Sequence, residues 1–496
     1  MSKLVAVPLF GRFSLSPDRE LQGELCIDGE DSYVRIHDTK TFDNVGPGYR
    51  TITGVLLDNT QVTLIDCVIE RIERSGKNGA HSVRLFPNYV VTGASVLDPS
   101  KSIVVELRMV TDDATSLFYD FDAFGTSFRA KDHVGEIIKG NNLNRSVPIG
   151  PDPIVAYFAG KRLIIDVTTS RAQVTAQHNP RCDAGGPGGV SITNSISVHV
   201  RPVASLLFAE SLDLLLEVLR FLELLVGRPQ NLESISLFVE RSDYDGLELH
   251  WSHQPRRREV GSDDAKSAPH PADVLLSPLA QEKEFGDVLR CWMAASPARR
   301  RARDRFHSVF CKQRHYSIDR LVSAANVFDL LPAEAVPRDV VVAPDVSAAR
   351  DAARIEFAKL PVSDERNSVL NALGRVGKAT LKEKVRHRAS VMIAASGGRF
   401  GDIIPVLEDA VDCRNYYVHG SQGRVNYAEQ MECIPLFTDA LVFVFAMSEL
   451  IDCGWDPMAY LDSGTTMSHP FGSFRVNYRR AAIDWSLLRE SELHGM

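Results

Sequence analysis

The sequence predicts an α+β chain, a β-rich and sandwich-like N-terminal half followed by a C-terminal α-helical bundle. Three observations carry this expectation. Short apolar runs broken by turn residues dominate the first ~250 residues. From about residue 276 the apolar period lengthens to ~3.6. The length of 496 residues suits two or three domains at the usual ~100–200 residues each.

In chain order, Thr51–Leu57 and Gln61–Ile65 flank Asp58-Asn59-Thr60 as strands around a hairpin turn. Ser102–Val110 and Arg162–Thr168 read as further strands. Ala172–Gln177 and Ser191–Val200 enclose a loop holding Gly185-Gly186-Pro187-Gly188-Gly189. A helix over Val203–Val226 stops at Gly227-Arg228-Pro229. Ser234–Glu240 and Leu247–Trp251 complete a β-rich domain over residues 1–255. The Arg-, Gly- and Pro-containing stretch 256–275 reads as a linker. Helical periods then cover 276–295, 298–331, 363–396, 402–418 and 434–452. They define a helical domain over 276–465, with 466–496 as a C-terminal tail.

At 44% hydrophobic and 24% charged, the composition excludes collagen-like, disordered and disulfide-scaffold classes. Against 56 Lys+Arg stand 64 Asp+Glu, a net charge of −8 that argues against a general coat of affinity for nucleic acid. A confined basic groove remains compatible with it. The N-terminus lacks the continuous apolar core of a secretory signal. Val203–Val226 is long enough to span a bilayer. However, Glu210, Asp213, Glu217, Arg220 and Glu223 recur at three- and four-residue steps, which predicts a solvated face. Ala440–Ser448, bounded by Asp439 and Glu449, is too short to span. The eight cysteines form no CxxC, so reduced thiols in a cytoplasmic protein with no membrane association are expected.

The sequence contains no HExxH, GxSxG, GxGxxG or zinc-finger spacing. Gly374-Arg375-Val376-Gly377-Lys378-Ala379-Thr380 imitates a phosphate loop. It lacks the first glycine, and Ala379 stands where the magnesium-binding hydroxyl belongs. His307, Cys311 and His315 fall at i, i+4 and i+8, a spacing that suits a soft metal on one helix face but lacks a fourth ligand. No metal or cofactor is therefore expected. Between Ser296 and Arg320, eight basic residues face only Asp304 and Asp319, giving that stretch a net charge of +6. Arg299, Arg300, Arg301 and Arg303 are its candidates for an RNA-phosphate surface, against the alternative of a helix face paired with acids on a neighbour.

The sharpest feature is Asp412-Cys413-Arg414-Asn415-Tyr416-Tyr417-Val418-His419-Gly420-Ser421. With 14 His in the chain, an Arg five positions before a His arises about once by chance, and Arg489/His494 is such a second hit. Context separates the two. Arg414 lies near the end of an amphipathic helix that Gly420-Ser421 stops. Five helical residues rotate by about 140°, so Arg414 and His419 share a site only if His419 occupies the terminating turn. A helix C-terminus also favours an imidazolium.

The DxRNxxVHG string at the end of one bundle helix and before another resembles the catalytic motif of HEPN ribonuclease domains. More narrowly, the chain resembles the ApeA family of bacterial anti-phage HEPN proteins. Phe10-Gly11-Arg12-Phe13, Gly23-Glu24-Leu25 and Val62-Thr63-Leu64-Ile65-Asp66-Cys67 carry the resemblance at the N-terminus, and Ala325–Pro332 carries it between the two ends. The resemblance implies a metal-independent endoribonuclease with Arg414, Asn415 and His419 as catalytic residues. It further implies an RNA substrate, a homodimer through the helical domain, and abortive infection as the outcome. The N-terminal domain would be a sensor that responds to a phage-derived trigger. Asp329 is a candidate replacement for a glutamate that many relatives carry. Tyr417 is a candidate for stacking on an RNA base, with packing in the bundle as the alternative. The competing functional class is a non-catalytic binding or scaffold protein with a ligand-binding β domain.

Overall fold

The computed structural model describes residues 7–495, apart from 17–18, 41, 43–49, 75–80, 142–144, 184–186, 188, 241–245, 254–267, 338–341 and 422–424. The chain divides into two compact units at Ala294/Ala295.

The first unit carries β1 (Leu9–Ser16), β2 (Arg19–Cys26), β3 (Tyr33–Asp38), β4 (Arg50–Leu56), β5 (Gln61–Arg74), β6 (His81–Gly93) and β7 (Val104–Thr111). After α1 (Ala114–Leu117) come β8 (Phe124–Phe128), α2 (Lys131–Gly140), β9 (Ile154–Phe158) and β10 (Leu163–Thr168). They are followed by β11 (Ala172–Asp183), β12 (Ser191–Pro202), α3 (Phe208–Val226), β13 (Leu232–Val239) and β14 (Leu247–Trp251).

Twelve of these strands form one antiparallel sheet in the order β10-β11-β12-β7-β13-β14-β6-β3-β2-β1-β4-β5, and β5 returns to pair with β6. The expected sandwich is therefore a sheet that curls and closes on itself at one end. β6 makes this possible. Its first half pairs with β3 over His81–Asp38 to Leu85–Val34, and its second half pairs with β14 over Tyr89–Trp251 to Thr92–Glu248. Pro87 lies between the two ladders and lacks the N–H either would need. Phe13, Leu25, Val34, Ile36, Ile52, Val62, Leu64 and Val83 fill the closed end. Gly54 is required there because a Cβ would lie 2.6 Å from the Phe13 ring. The hairpin around Asp58-Asn59-Thr60 forms, with Asn59 at φ 68°.

α3 corrects the expected solvated face. Glu217 is buried and ion-paired with Arg171, and Glu223 is buried and accepts the Gln230 backbone N–H at 2.9 Å. Glu217 and Glu223 are thus met by protein donors, while Glu210 at the start of the helix stays exposed. The expected linker is also revised. Residues 254–267 lie outside the described part. Pro271–Asp273 forms a 3₁₀ turn, Val274, Leu275 and Leu276 are buried, and the Leu275 N–H donates to Leu225 O at 3.1 Å. The division between units falls instead inside α4 (Glu282–Phe310), a continuous helix that runs through Pro297.

The second unit continues with α5 (Ile318–Asn326), α6 (Pro344–Lys359), α7 (Asp364–Leu373), α8 (Leu381–Ala395), α9 (Ile403–His419), α10 (Cys433–Asp452), α11 (Met458–Asp462) and α12 (Pro470–Gly495). α10 is the core. Among the described residues it alone has the length and apolarity to cross a membrane, and it is 78% buried inside the protein. The stretch expected as a tail is α12, whose Phe471, Tyr478 and Trp485 are buried with α10. Its apolar positions follow the helical period but lie among many charges, which disguised it.

Glu449 of α10 is fully buried. Its carboxylate meets Arg299 and, at 3.1 Å, Arg303, both from α4. The Arg388 guanidinium from α8 lies 3.6 Å away and also pairs with Asp452 at 2.7 Å. Arg299 and Arg303 are thus interior ion-pair partners, which corrects their assignment to an RNA-binding surface. A guanidinium neutralised inside the core offers nothing to a phosphate. Arg320 is likewise buried, donating to Val309 O. Arg300 and Arg301 stay exposed, Arg300 3.8 Å from Asp304.

The Glu449→Ala variant removes the carboxylate that three buried guanidinium groups share. It is expected to lose about 3–5 kcal/mol in the unfolding of the helical unit, measured by urea denaturation. In the β unit, burial would raise the Glu106 carboxyl, but His199, Arg108 and Arg201 overcome it and hold its pKa at about 2 against an ordinary 4.5. Its folded-state value is depressed, so its stabilisation is present above pH ~4.5 and fades as pH falls toward 2. Glu106→Gln is expected to flatten that part of the acid-unfolding curve.

Candidate active site

α9 ends where its sequence requires. Ile403, Val406, Leu407, Ala410, Val411 and Cys413 form its buried stripe. His419 is the last helical residue. Gly420 adopts φ 65°, and its N–H donates to Tyr416 O at 3.0 Å. This left-handed cap breaks the helical rotation and leaves the His419 side chain exposed beside Arg414.

Arg414 is the hub. Its Nη1–H groups donate to Asn415 Oδ1 at 2.9 Å and to His419 Nε2 at 2.9 Å. Its Nε and Nη2 donate to Asn326 Oδ1 at 3.1 and 2.8 Å. That contact is a hydrogen bond in the tautomer whose proton lies on Nδ1, with Nε2 as the acceptor.

Asn326 was not singled out by sequence reasoning, which fixed on Asp329 in the same segment. Ser317 starts α5 by accepting the Arg320 N–H at 3.2 Å, and Leu321, Ala324 and Ala325 are buried. The chain then tightens into a 3₁₀ turn over Val327–Leu330, with Phe328 packed edge-on against Phe445. Asn326 closes α5 at that transition. A polar residue within the apolar run Ala324–Phe328 was the available signal. Asp329 instead pairs with Lys384 at 2.8 Å, and Asp412 pairs with Lys382 at 2.6 Å.

The contrast with the buried network is electrostatic. Among the described residues, Arg414 is held by neutral amides and an imidazole, while Asp412 and Asp329 are matched with Lys382 and Lys384. Among the described residues no acid pairs with this guanidinium, a donor group whose geometry suits a phosphate or carboxylate.

Tyr417 donates its hydroxyl to Tyr427 O at 2.9 Å and meets Tyr416 edge-on. It braces the connection to α10 through its hydroxyl, and the side chain is half-buried. Arg489 pairs with Asp409 at 3.0 Å, while the His494 side chain lies outside the described residues. The three residues spaced for a metal do not share a helix face. α4 stops at Phe310, Arg314 turns left-handed at φ 59°, and Cys311 instead contacts His307 Nε2 at 2.7 Å. Thr380 of the phosphate-loop imitation caps α8, reciprocally with Glu383.

Gly420→Val places a β-branched residue at positive φ and is expected to cost about 1–2 kcal/mol of stability. A thermal melt of the variant beside the parent chain measures it.

Residues 9–292 match a family model described as ApeA N-terminal domain 1. The match ends close to the division between the two units. No curated protein and no solved structure matches the chain significantly. The matched segment is more than half of the sequence and covers the whole β-rich unit, so the chain belongs to the ApeA family, a membership that points to anti-phage defence.

Proposed function

We propose that the chain is a metal-independent endoribonuclease of HEPN type, acting in the cytoplasm in anti-phage defence by abortive infection. The observation that carries this reading is the Arg414 guanidinium, positioned by Asn326 and Asn415 without an acid and in contact with an exposed imidazole.

An RNA phosphodiester contains its own nucleophile. The 2′-oxygen attacks phosphorus, the P–O5′ bond breaks, and a 2′,3′-cyclic phosphate forms. One proton must leave the 2′-OH and one must reach the departing 5′-oxygen. His419 in the neutral form accepts the first at Nε2. Arg414 occupies that nitrogen in the free protein, so the scissile phosphate must insert between them. In doing so it draws the Nη1–H groups onto its non-bridging oxygens, where charge builds in the transition state. Asn415 and Asn326 keep the guanidinium plane oriented as that exchange occurs. A protonated His419 from a second copy supplies the leaving-group proton, which is why a homodimer through the helical unit belongs to this proposal. The β-rich unit would sense a phage-derived trigger.

Purified protein is incubated with total RNA in EDTA. Cleavage is expected to persist and to leave cyclic 2′,3′-phosphate ends, whereas 3′-hydroxyl ends or loss of activity in EDTA would refute the mechanism. His419→Ala and Arg414→Ala are each expected to lower the rate at least ~100-fold with unchanged thermal stability. Asn326→Asp separates charge from geometry. It can keep the hydrogen bonds but compensates the guanidinium, and it is expected to slow cleavage about tenfold without destabilising the fold. Equal RNA decay in cells expressing the parent chain and His419→Ala would assign the helical unit to binding or scaffolding instead. Sedimentation tests the dimer, and a fully active monomer would exclude it.

A further inference from the structure

The helical unit holds a cavity of about 390 Å³, lined by none of Asn326, Arg414, Asn415 and His419. Two non-glycine residues with left-handed backbone meet at it, Arg314 at φ 59° and Met467 at φ 62°. Strain of this kind concentrates at ligand sites.

The polar groups of the cavity are unevenly satisfied. Asp439 Oδ2 accepts from the Tyr316 hydroxyl at 2.6 Å. Asp439 Oδ1 lies 3.9 Å from Arg320 Nη2, beyond hydrogen-bond distance, because Arg320 Nε and Nη1 are directed to Val309 O and His315 O. One carboxylate oxygen is thus left as an open acceptor in a site that is one-third exposed. Burial also pushes the Asp439 carboxyl above its ordinary range. On α12, Asn477 spends its Nδ2 on Ser473 O at 3.0 Å, which leaves its carbonyl oxygen as the amide's remaining hydrogen-bonding atom. The walls include the Tyr316 and Phe474 rings.

The ligand that fits is a flat ring offering N–H donors. The charges narrow it further, with Arg314 and Arg320 balanced by Glu432 and Asp439. A bare cation would have to sit near the two arginines, and a bare anion near the two acids. A nucleotide presents an amino edge to Asp439 and a phosphate to Arg314. We propose that this cavity seats a nucleobase bearing an exocyclic amino group, with one amino N–H on Asp439 Oδ1 and the ring against Tyr316 or Phe474. Uracil, which turns a carbonyl toward the carboxylate at the equivalent edge, is disfavoured. The nucleotide is either free or part of an RNA strand, and only the second source rests on the nuclease reading above.

The test is titration of the full-length His419→Ala protein with AMP, CMP, GMP and UMP by calorimetry. At least one amino-bearing nucleotide is expected to bind about tenfold more tightly than UMP. Asp439→Asn, which keeps an acceptor for Tyr316, is expected to abolish that preference, and a thermal melt checks its fold. Phe474→Ala provides a second variant, expected to weaken all four nucleotides together. Equal binding of UMP, no binding of any nucleotide at millimolar concentration, or an unchanged preference in Asp439→Asn would overturn the proposal. Displacement of a bound nucleotide by short single-stranded RNA assigns the cavity to an RNA strand. RNA binding without displacement assigns it to free nucleotide. Because these are binding readouts, they keep their meaning if RNA cleavage is never observed.

Discussion

The helical unit depends on one buried carboxylate. Glu449 sits fully buried in the last turn of α10, the most apolar helix among the described residues, where an isolated charge would be untenable. It is tolerated because Arg299 and Arg303 reach it from α4 and Arg388 from α8, while Asp452 shares Arg299 and Arg388. Apolar packing alone would let these helices slide or rotate against α10. Directed ion pairs fix their register, since a misplaced helix would strand charge in the core.

That register bears on the candidate site. α9 lies against α8 and α10, and α5 brings Asn326 to Arg414. The unit therefore uses arginine in two opposite ways. In the core, carboxylates compensate the guanidinium and the product is rigidity. At the end of α9, neutral amide oxygens hold it. The same residue type, within one unit, is met by charged partners in the core and by neutral ones at the end of α9.

The fold class was legible because period-two and period-3.6 patterns come directly from backbone geometry. The strands around Asp58-Asn59-Thr60 and the stop of α9 at Gly420 were legible for the same local reason. Three features were not. Closure of the sheet through β6 depends on pairing between segments far apart in sequence. The burial of Glu217 and Glu223 on α3 depends on Arg171 and Gln230, which no helical period announces. Within the +6 stretch, Arg299, Arg303 and Arg320 turn inward while Arg300 and Arg301 stay exposed, a division that depends on partners far away in sequence.

The sequence by itself determined the two-part architecture, the helix end that places His419 next to Arg414, and the motif that suggests their chemistry. These follow from local spacing, and local spacing is what a sequence displays. Tertiary structure decided which charges are spent and which are kept. It paired Arg299 and Arg303 with Glu449 and Asp329 with Lys384, and it left Arg414 with amide and imidazole partners. Compensation of a charge depends on what lies within about 4 Å of it in space, and for Arg414 the deciding neighbour, Asn326, lies 88 residues away in the chain.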